Sequence, residues 1–274
     1  KAIIFDMDGV LRIGNKLLKG AENLINELEK REIKTMIVTN ECRYTPEDLR
    51  DELEELGMNI TDSCEIYTAA LSAKDYLYKK LKRFPNKNFN VGVVGELGLN
   101  KAINTLQSHS NFNLIEELED KDYENLYLVI GTVNKIKIAH LDKILRWIKK
   151  GAKVIITCLD ACDPSSKGDF SLGMPNHMLH MVGYNVSTKS YSTGKPNPNF
   201  KEYIMNYLNK DYEIKNNEIL FVGDTIYTDI RLAEESNFKS CLVLSGNSKK
   251  ETPDLYVTEP DYVINDVSEL FKIL

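Results

Sequence analysis

Apolar residues along this chain gather into short runs separated by polar stretches of helical period. Ala2-Ile3-Ile4-Phe5, the stretch Lys34 to Val38 and the stretch Glu65 to Thr68 read as strands. Between them Ala21, Leu24, Ile25 and Leu28 fall at helical spacing, as do Leu49, Leu53 and Leu56. Thr45-Pro46-Glu47-Asp48 has the form of a helix start, with a capping hydroxyl, then a proline, then acids. Alternating strands and helices predict a parallel sheet, whose ligand sites lie at the carboxyl ends of the strands.

From about Lys82 a polar connector leads into a second alternating set. Asn90 to Val94, Leu126 to Ile130 and Lys153 to Ile156 are its strands, with helices around Leu99 to Leu106 and Ile138 to Lys149. A Gly-, Pro- and Ser-rich stretch from Asp163 to Pro175 marks its far edge, and a helix over Asn176 to Val182 is expected to return to the first sheet. Strands resume at Ile219 to Val222 and Cys241 to Leu244. The expected organisation is α/β, with a discontinuous first domain (1–83 and 174–274) and an inserted smaller α/β domain (84–173).

Composition supports a globular chain: 274 residues, 42% hydrophobic and 28% charged, with a net charge of −6. The charge is dispersed and no basic stripe is interleaved with aromatics, so a nucleic-acid polymer is not an expected partner. No apolar stretch approaches the roughly 18 residues that cross a bilayer, and the first residues lack the layout of a secretory signal. The expected address is the cytoplasm, a removed targeting segment aside. Cys42, Cys64, Cys158, Cys162 and Cys241 are odd in number and scattered, which predicts reduced thiols rather than a disulfide framework or a zinc site. His177 and His180 sit at i, i+3 spacing with no acid close in the sequence and read as surface or packing histidines, and Met174, Met178 and Met181 read as packing.

The strand-end rule singles out four places. Asp6 and Asp8 close the first strand, so that one carboxylate can attack phosphorus while the other handles protons, provided a cation offsets their charge. Thr39 and Asn40 close the second strand and can hydrogen-bond phosphate oxygens through a hydroxyl and a backbone amide. Lys195, in Thr193-Gly194-Lys195-Pro196, can neutralise phosphate and carboxylate. Gly223-Asp224-Thr225 and Asp229 follow a late strand. The carboxylates of Asp6 and Asp224, with one carbonyl of the first loop that holds Asp8, waters and a phosphate oxygen, compose a candidate octahedral Mg²⁺ site at Asp6, Asp8 and Asp224, with Thr225 and Asp229 supporting it. Taken singly, each place has an ordinary reading: a turn, a helix cap or a solvated lysine. Four of them in order after strands point to one phosphate site.

In Asp6-Met7-Asp8-Gly9-Val10, Thr39, Lys195 and Gly223-Asp224 through Asp229, the chain resembles the haloacid dehalogenase-like phosphatases. The forms of these motifs and the insertion between the second and third are similar to the NagD or 4-nitrophenylphosphatase branch. The resemblance implies a Rossmann-like core, an α/β cap over the site, Mg²⁺ and a small phosphomonoester substrate. Phosphoglycolate, pyridoxal phosphate, sugar phosphates, nucleotides and 4-nitrophenyl phosphate are the candidates. It also implies Asp6 as nucleophile, Asp8 as acid and then base, and homodimerisation through the cap. A phosphotransferase or mutase using the same aspartyl-phosphate is the alternative, and a non-catalytic phosphate sensor is disfavoured because binding alone needs no second acid.

Two departures bear on substrate choice. Glu41-Cys42-Arg43 stands where the branch has another Asn and a small residue. Glu41 either alters substrate choice, with Arg43 offsetting its charge, or points away as an early helix residue, the expected orientation because acids favour helix N-termini. In the cap, Cys158-Leu159-Asp160 keeps only Asp160 of an Asn-x-Asp pattern, and the loop from Asp160 to Ser171 is expected to face Asp6.

Overall fold

The computed structural model describes residues 1–162, 164, 173–184, 190–249 and 258–274. The chain first lays down three parallel strands, β1 (Ala2–Phe5), β2 (Lys34–Thr39) and β3 (Glu65–Thr68). They are joined by helices α1 (Leu24–Glu29) and α2 (Pro46–Glu55). Thr45 and Asp48 form the reciprocal cap that the sequence predicts for α2: Asp48 N–H donates to Thr45 Oγ1 at 3.1 Å, and Thr45 N–H donates to Asp48 Oδ2 at 3.0 Å. After α3 (Ala69–Arg83) a second sheet forms from β4 (Phe89–Val94), β5 (Phe112–Leu114), β6 (Leu126–Ile130), β7 (Lys153–Ile156) and β8 (Ser190–Ser192). It carries α4 (Leu97–Asn104), α5 (Ile138–Lys149) and α6 (Pro175–Met181). The chain then returns through α7 (Pro198–Tyr212), β9 (Ile219–Gly223), α8 (Arg231–Ser236), β10 (Lys239–Val243) and β11 (Tyr262–Ile264).

The larger sheet runs β11-β10-β9-β1-β2-β3 and the smaller β8-β7-β6-β4-β5, with every pairing parallel. Both are buried on two faces, which is why the strands read as apolar runs rather than alternations. Successive residues of β1 still serve opposite layers. Ile4 packs with Met36, Val38 and Phe221, while Ile3 and Phe5 pack with Ile37, Leu220 and Val222. The first of these clusters continues through α3 into Phe89, Val91, Tyr127 and Val129 of the second sheet, so one apolar mass joins the two layers.

The helix expected to lead back to the first sheet does otherwise. Met178 and Leu179 of α6 pack on Ile144 and Trp147 of α5, and Ser190–Ser192 pairs with β7. The insert therefore runs on through Ser192, past the expected boundary at residue 174. The apolar side of α6 is short, and only the contact partner distinguishes the two assignments. Strands β5, β8 and β11 are three-residue edges, too short for a periodic signal. No helix among the described residues is long and apolar enough to cross a membrane.

The larger sheet reverses its order between β1 and β9, the place where a parallel sheet opens a crevice at its carboxyl edge. Phe5 pairs with Val222, so Asp6 and the Gly223-Asp224 turn emerge side by side.

Candidate active site

Asp6 leaves β1 with its N–H on Val222 O at 2.8 Å, which fixes its backbone to the neighbouring strand. Lys195 reaches across from the end of the insert. Its ammonium lies 2.6 Å from Asp6 Oδ1, 2.7 Å from Asp229 Oδ1 and 3.2 Å from Val38 O, and all three residues of this ion-paired group are buried. Asp229 in turn accepts N–H bonds from Asp224 and Thr225 at its other oxygen, holding the turn after β9. Asp224 accepts from Thr225 Oγ1 at 2.9 Å and from Asn247 N–H at 2.7 Å. Gly9 is needed at this point: its φ is +86°, and a Cβ there would fall 2.3 Å from Asp224 Oδ2.

The electrostatics follow from three buried carboxylates sharing one ammonium. Burial pushes Asp6 well above the usual carboxylate range; Lys195 opposes this, and Asp229 and Asp224 add to it. Burial and then Asp229 push Asp224 up to about 7. Burial pulls the Lys195 ammonium down, but Asp229 and Asp6 outweigh it and leave it above its ordinary value. Oxygens of Asp6, Asp224 and Asp229 lie within 4.8 Å of one another. An all-oxygen set with excess negative charge fits a hard divalent cation.

Asp8 does not join that cluster. Its carboxylate turns to Arg12, with Nε 3.0 Å from Oδ1, and the Arg12 guanidinium is also paired with Glu52 of α2 at 2.7 Å. Among the described residues the grouped carboxylates are Asp6, Asp224 and Asp229, and that of Asp8 stands apart from them. Burial raises Asp8 to about 6 against the pull of Arg12, with Glu41 adding to the rise.

The loop after β2 supplies the opposite wall. Thr39 Oγ1 accepts from Glu41 N–H at 3.0 Å. Asn40 ties two regions together, accepting from Lys195 N–H at 2.8 Å and donating to Asp160 Oδ2 at 2.9 Å. Glu41 does not point away from an early helix turn, because α2 begins only at Pro46. Its carboxylate folds back on Cys42 N–H (2.8 Å) and Arg43 N–H (2.7 Å) and is clasped by the Arg43 guanidinium at 2.5 to 3.0 Å.

These residues line a cleft of about 240 Å³ between the sheets, shared by Asp6, Asp8, Thr39, Asn40, Glu41, Arg43, Asp160, Lys195, Asp224 and Thr225. Asp229 stands behind Lys195, fully buried. Most of the loop expected to face Asp6, residues 163 and 165–171, lies outside the described residues. Sequence reasoning missed Arg12, Glu52 and Asn247. A lone arginine directly after Val10-Leu11 was the available signal, since a charge that ends an apolar run and is buried needs a partner.

A family model described as haloacid dehalogenase-like hydrolase matches residues 3–108, and one described as HAD-hydrolase-like matches residues 192–270. The chain is 27% identical to a dihydroxyacetone phosphatase of Corynebacterium glutamicum, over 97% of this chain and 88% of that one. It is 26% identical to an acid sugar phosphatase of Staphylococcus saprophyticus, over 100% and 98% of the two chains. Among solved structures, a hypothetical protein of Pyrococcus horikoshii superposes with a TM-score of 0.79 at 28% identity, covering 99% of this chain and 98% of that one. A 4-nitrophenylphosphatase of Thermotoga maritima shares the fold with a TM-score of 0.79 at 24% identity, covering 99% and 96%.

Proposed function

The chain belongs to the haloacid dehalogenase-like hydrolases, and from that premise we propose that it is a Mg²⁺-dependent phosphatase that cleaves small phosphomonoesters by transient phosphorylation of Asp6. The names of its relatives, dihydroxyacetone phosphatase and acid sugar phosphatase, support a small phosphorylated substrate. In this reading the Asp6 carboxylate attacks phosphorus, the bond to the leaving oxygen breaks, and Asp8 gives that oxygen its proton. Asp8, now ionised, takes a proton from water as the water oxygen attacks the phosphoryl group; the bond to Asp6 breaks and inorganic phosphate leaves. Lys195 and the Thr39 hydroxyl hold phosphoryl oxygens in place. Asp6 and Asp224, with a carbonyl of the first loop, would hold Mg²⁺, which when bound supplies the positive charge that offsets repulsion between carboxylate and phosphate.

One observation carries the reading: Lys195 clasps Asp6 at 2.6 Å while Asp8, two residues on, sits outside that clasp with its pKa raised to about 6. The two acids are thereby given different partners: Asp6 stands beside the ammonium that would also meet phosphate, and Asp8 lies on Arg12, raised to about 6, where it can give up a proton near neutrality. Phosphate release from 4-nitrophenyl phosphate tests it. Turnover is expected with Mg²⁺, to stop on chelation and to fall by about 10³-fold or more in Asp6→Asn. Undiminished activity in a folded Asp6→Asn protein removes the nucleophile assignment.

A further inference from the structure

The side chains of the β2-loop ion pair bond to none of the reacting groups just described; Glu41 only adds to the rise of Asp8, an effect common to all substrates that cancels in a ratio between two of them. We propose that Glu41 determines specificity: by occupying Arg43, it makes the leaving-group end of the cleft reject phosphomonoesters whose alcohol carries a second anionic group. Substrates with an uncharged alcohol are accepted. The inference rests on the phosphatase reading of this cleft.

Two successive backbone N–H groups and a guanidinium fork are the donors with which proteins bind free carboxylates and phosphates. Here the chain supplies its own anion to them. Glu41 takes the N–H groups of Cys42 and Arg43 at 2.8 and 2.7 Å and both Nε and Nη2 of Arg43, and it is only 9% exposed. The remaining Arg43 nitrogen, Nη1, donates to Asn134 Oδ1 of the insert at 3.1 Å. The other cations lining the cleft among the described residues face carboxylates as well: Arg12 faces Asp8 and Glu52, and Lys195 faces Asp6 and Asp229. A carboxylate or second phosphate on the alcohol would lose its water and meet like charge, with each of those cations already matched. A hydroxyl group loses little there, because carboxylates and asparagines accept and donate to it.

Glycerol phosphate and phosphoglycolate are of similar size, and only the latter carries an anion beyond the phosphate. Wild-type protein is expected to favour glycerol phosphate by at least about tenfold in kcat/KM. Glu41→Gln removes the charge without changing the shape and leaves Arg43 in place. It is expected to narrow the preference by about tenfold, through a lower KM for phosphoglycolate rather than a higher kcat. Replacing Arg43 by Gln in that background is expected to cancel the gain. Equal or better use of phosphoglycolate by the wild type, or an unchanged ratio in Glu41→Gln, overturns the proposal while leaving the phosphatase reading intact. Should Glu41→Gln not fold, the wild-type ratio decides alone. If 4-nitrophenyl phosphate, glycerol phosphate and phosphoglycolate are all inert, the phosphatase reading itself fails, and this proposal with it.

Discussion

The two ends of the cleft are built differently. At the phosphate end, Asp6, Thr39 and Asp224 stand at or just beyond the ends of buried parallel strands, and the two carboxylates are set against one ammonium. At the leaving-group end, Glu41, Arg43 and Asn134 sit on loops and hold one another, and Asp160 is bonded to Asn40. Strand ends are placed by the sheet and vary little, whereas loop residues are placed by their local partners. In the proposed reading the first end determines which bond is broken, and the second which molecules can present it.

The largest effect expected at the phosphate end comes from Lys195→Met. Removing the ammonium leaves Asp6 and Asp229 buried and unpaired, at a cost of about 3–5 kcal/mol of stability by the usual penalty for breaking a buried pair. Urea unfolding measures this, and a loss under about 1 kcal/mol would show that the clasp is not structural. Asp8→Asn comes next, with kcat expected to fall by about 10²–10⁴-fold. Acid-quenched single turnover divides that loss: formation of the phosphoenzyme should suffer more with glycerol phosphate than with 4-nitrophenyl phosphate, whose leaving oxygen needs no proton. Equal losses would argue against Asp8 as the acid.

The pH dependence sharpens the same point. Asp8, at about 6, donates only when protonated, so phosphoryl transfer from a poor leaving group is lost as pH rises through about 6. Arg12 pulls that value down, and Arg12→Met should move the fall to higher pH. A fall that stays in place would detach Arg12 from Asp8. The smallest effect belongs to the link between the ends. Asn40→Ala breaks the bonds to Asp160 and to the Lys195 backbone, which should cost about 1–2 kcal/mol of stability and raise KM more than it lowers kcat.

What could be read from the sequence follows the same division. Four consecutive apolar residues before Asp6 announce a buried strand, and the sheet then brings in Asp224 from more than two hundred residues away through a register no local pattern encodes. Lys195 could be named from its motif, but not its shared grip on Asp6 and Asp229. Arg12 was missed because a single arginine has no period, and Glu41 was misoriented because its preference for a helix start lost to two backbone N–H groups and a guanidinium close by. The misassigned α6 failed for a related reason: Met178 and Leu179 fit either layer, and Trp147 of the insert was the neighbour that received them.

The central claim is that Asp6 carries the phosphoryl group. Asp8→Asn protein, mixed with 4-nitrophenyl phosphate and Mg²⁺, quenched in acid and mapped by peptide mass spectrometry, tests this directly, because the loss of the base should let the intermediate accumulate. The account predicts one phosphoryl group on the peptide containing Asp6, appearing with the first burst of nitrophenol. A burst with the phosphoryl group on another residue, or with none on the protein, would contradict it.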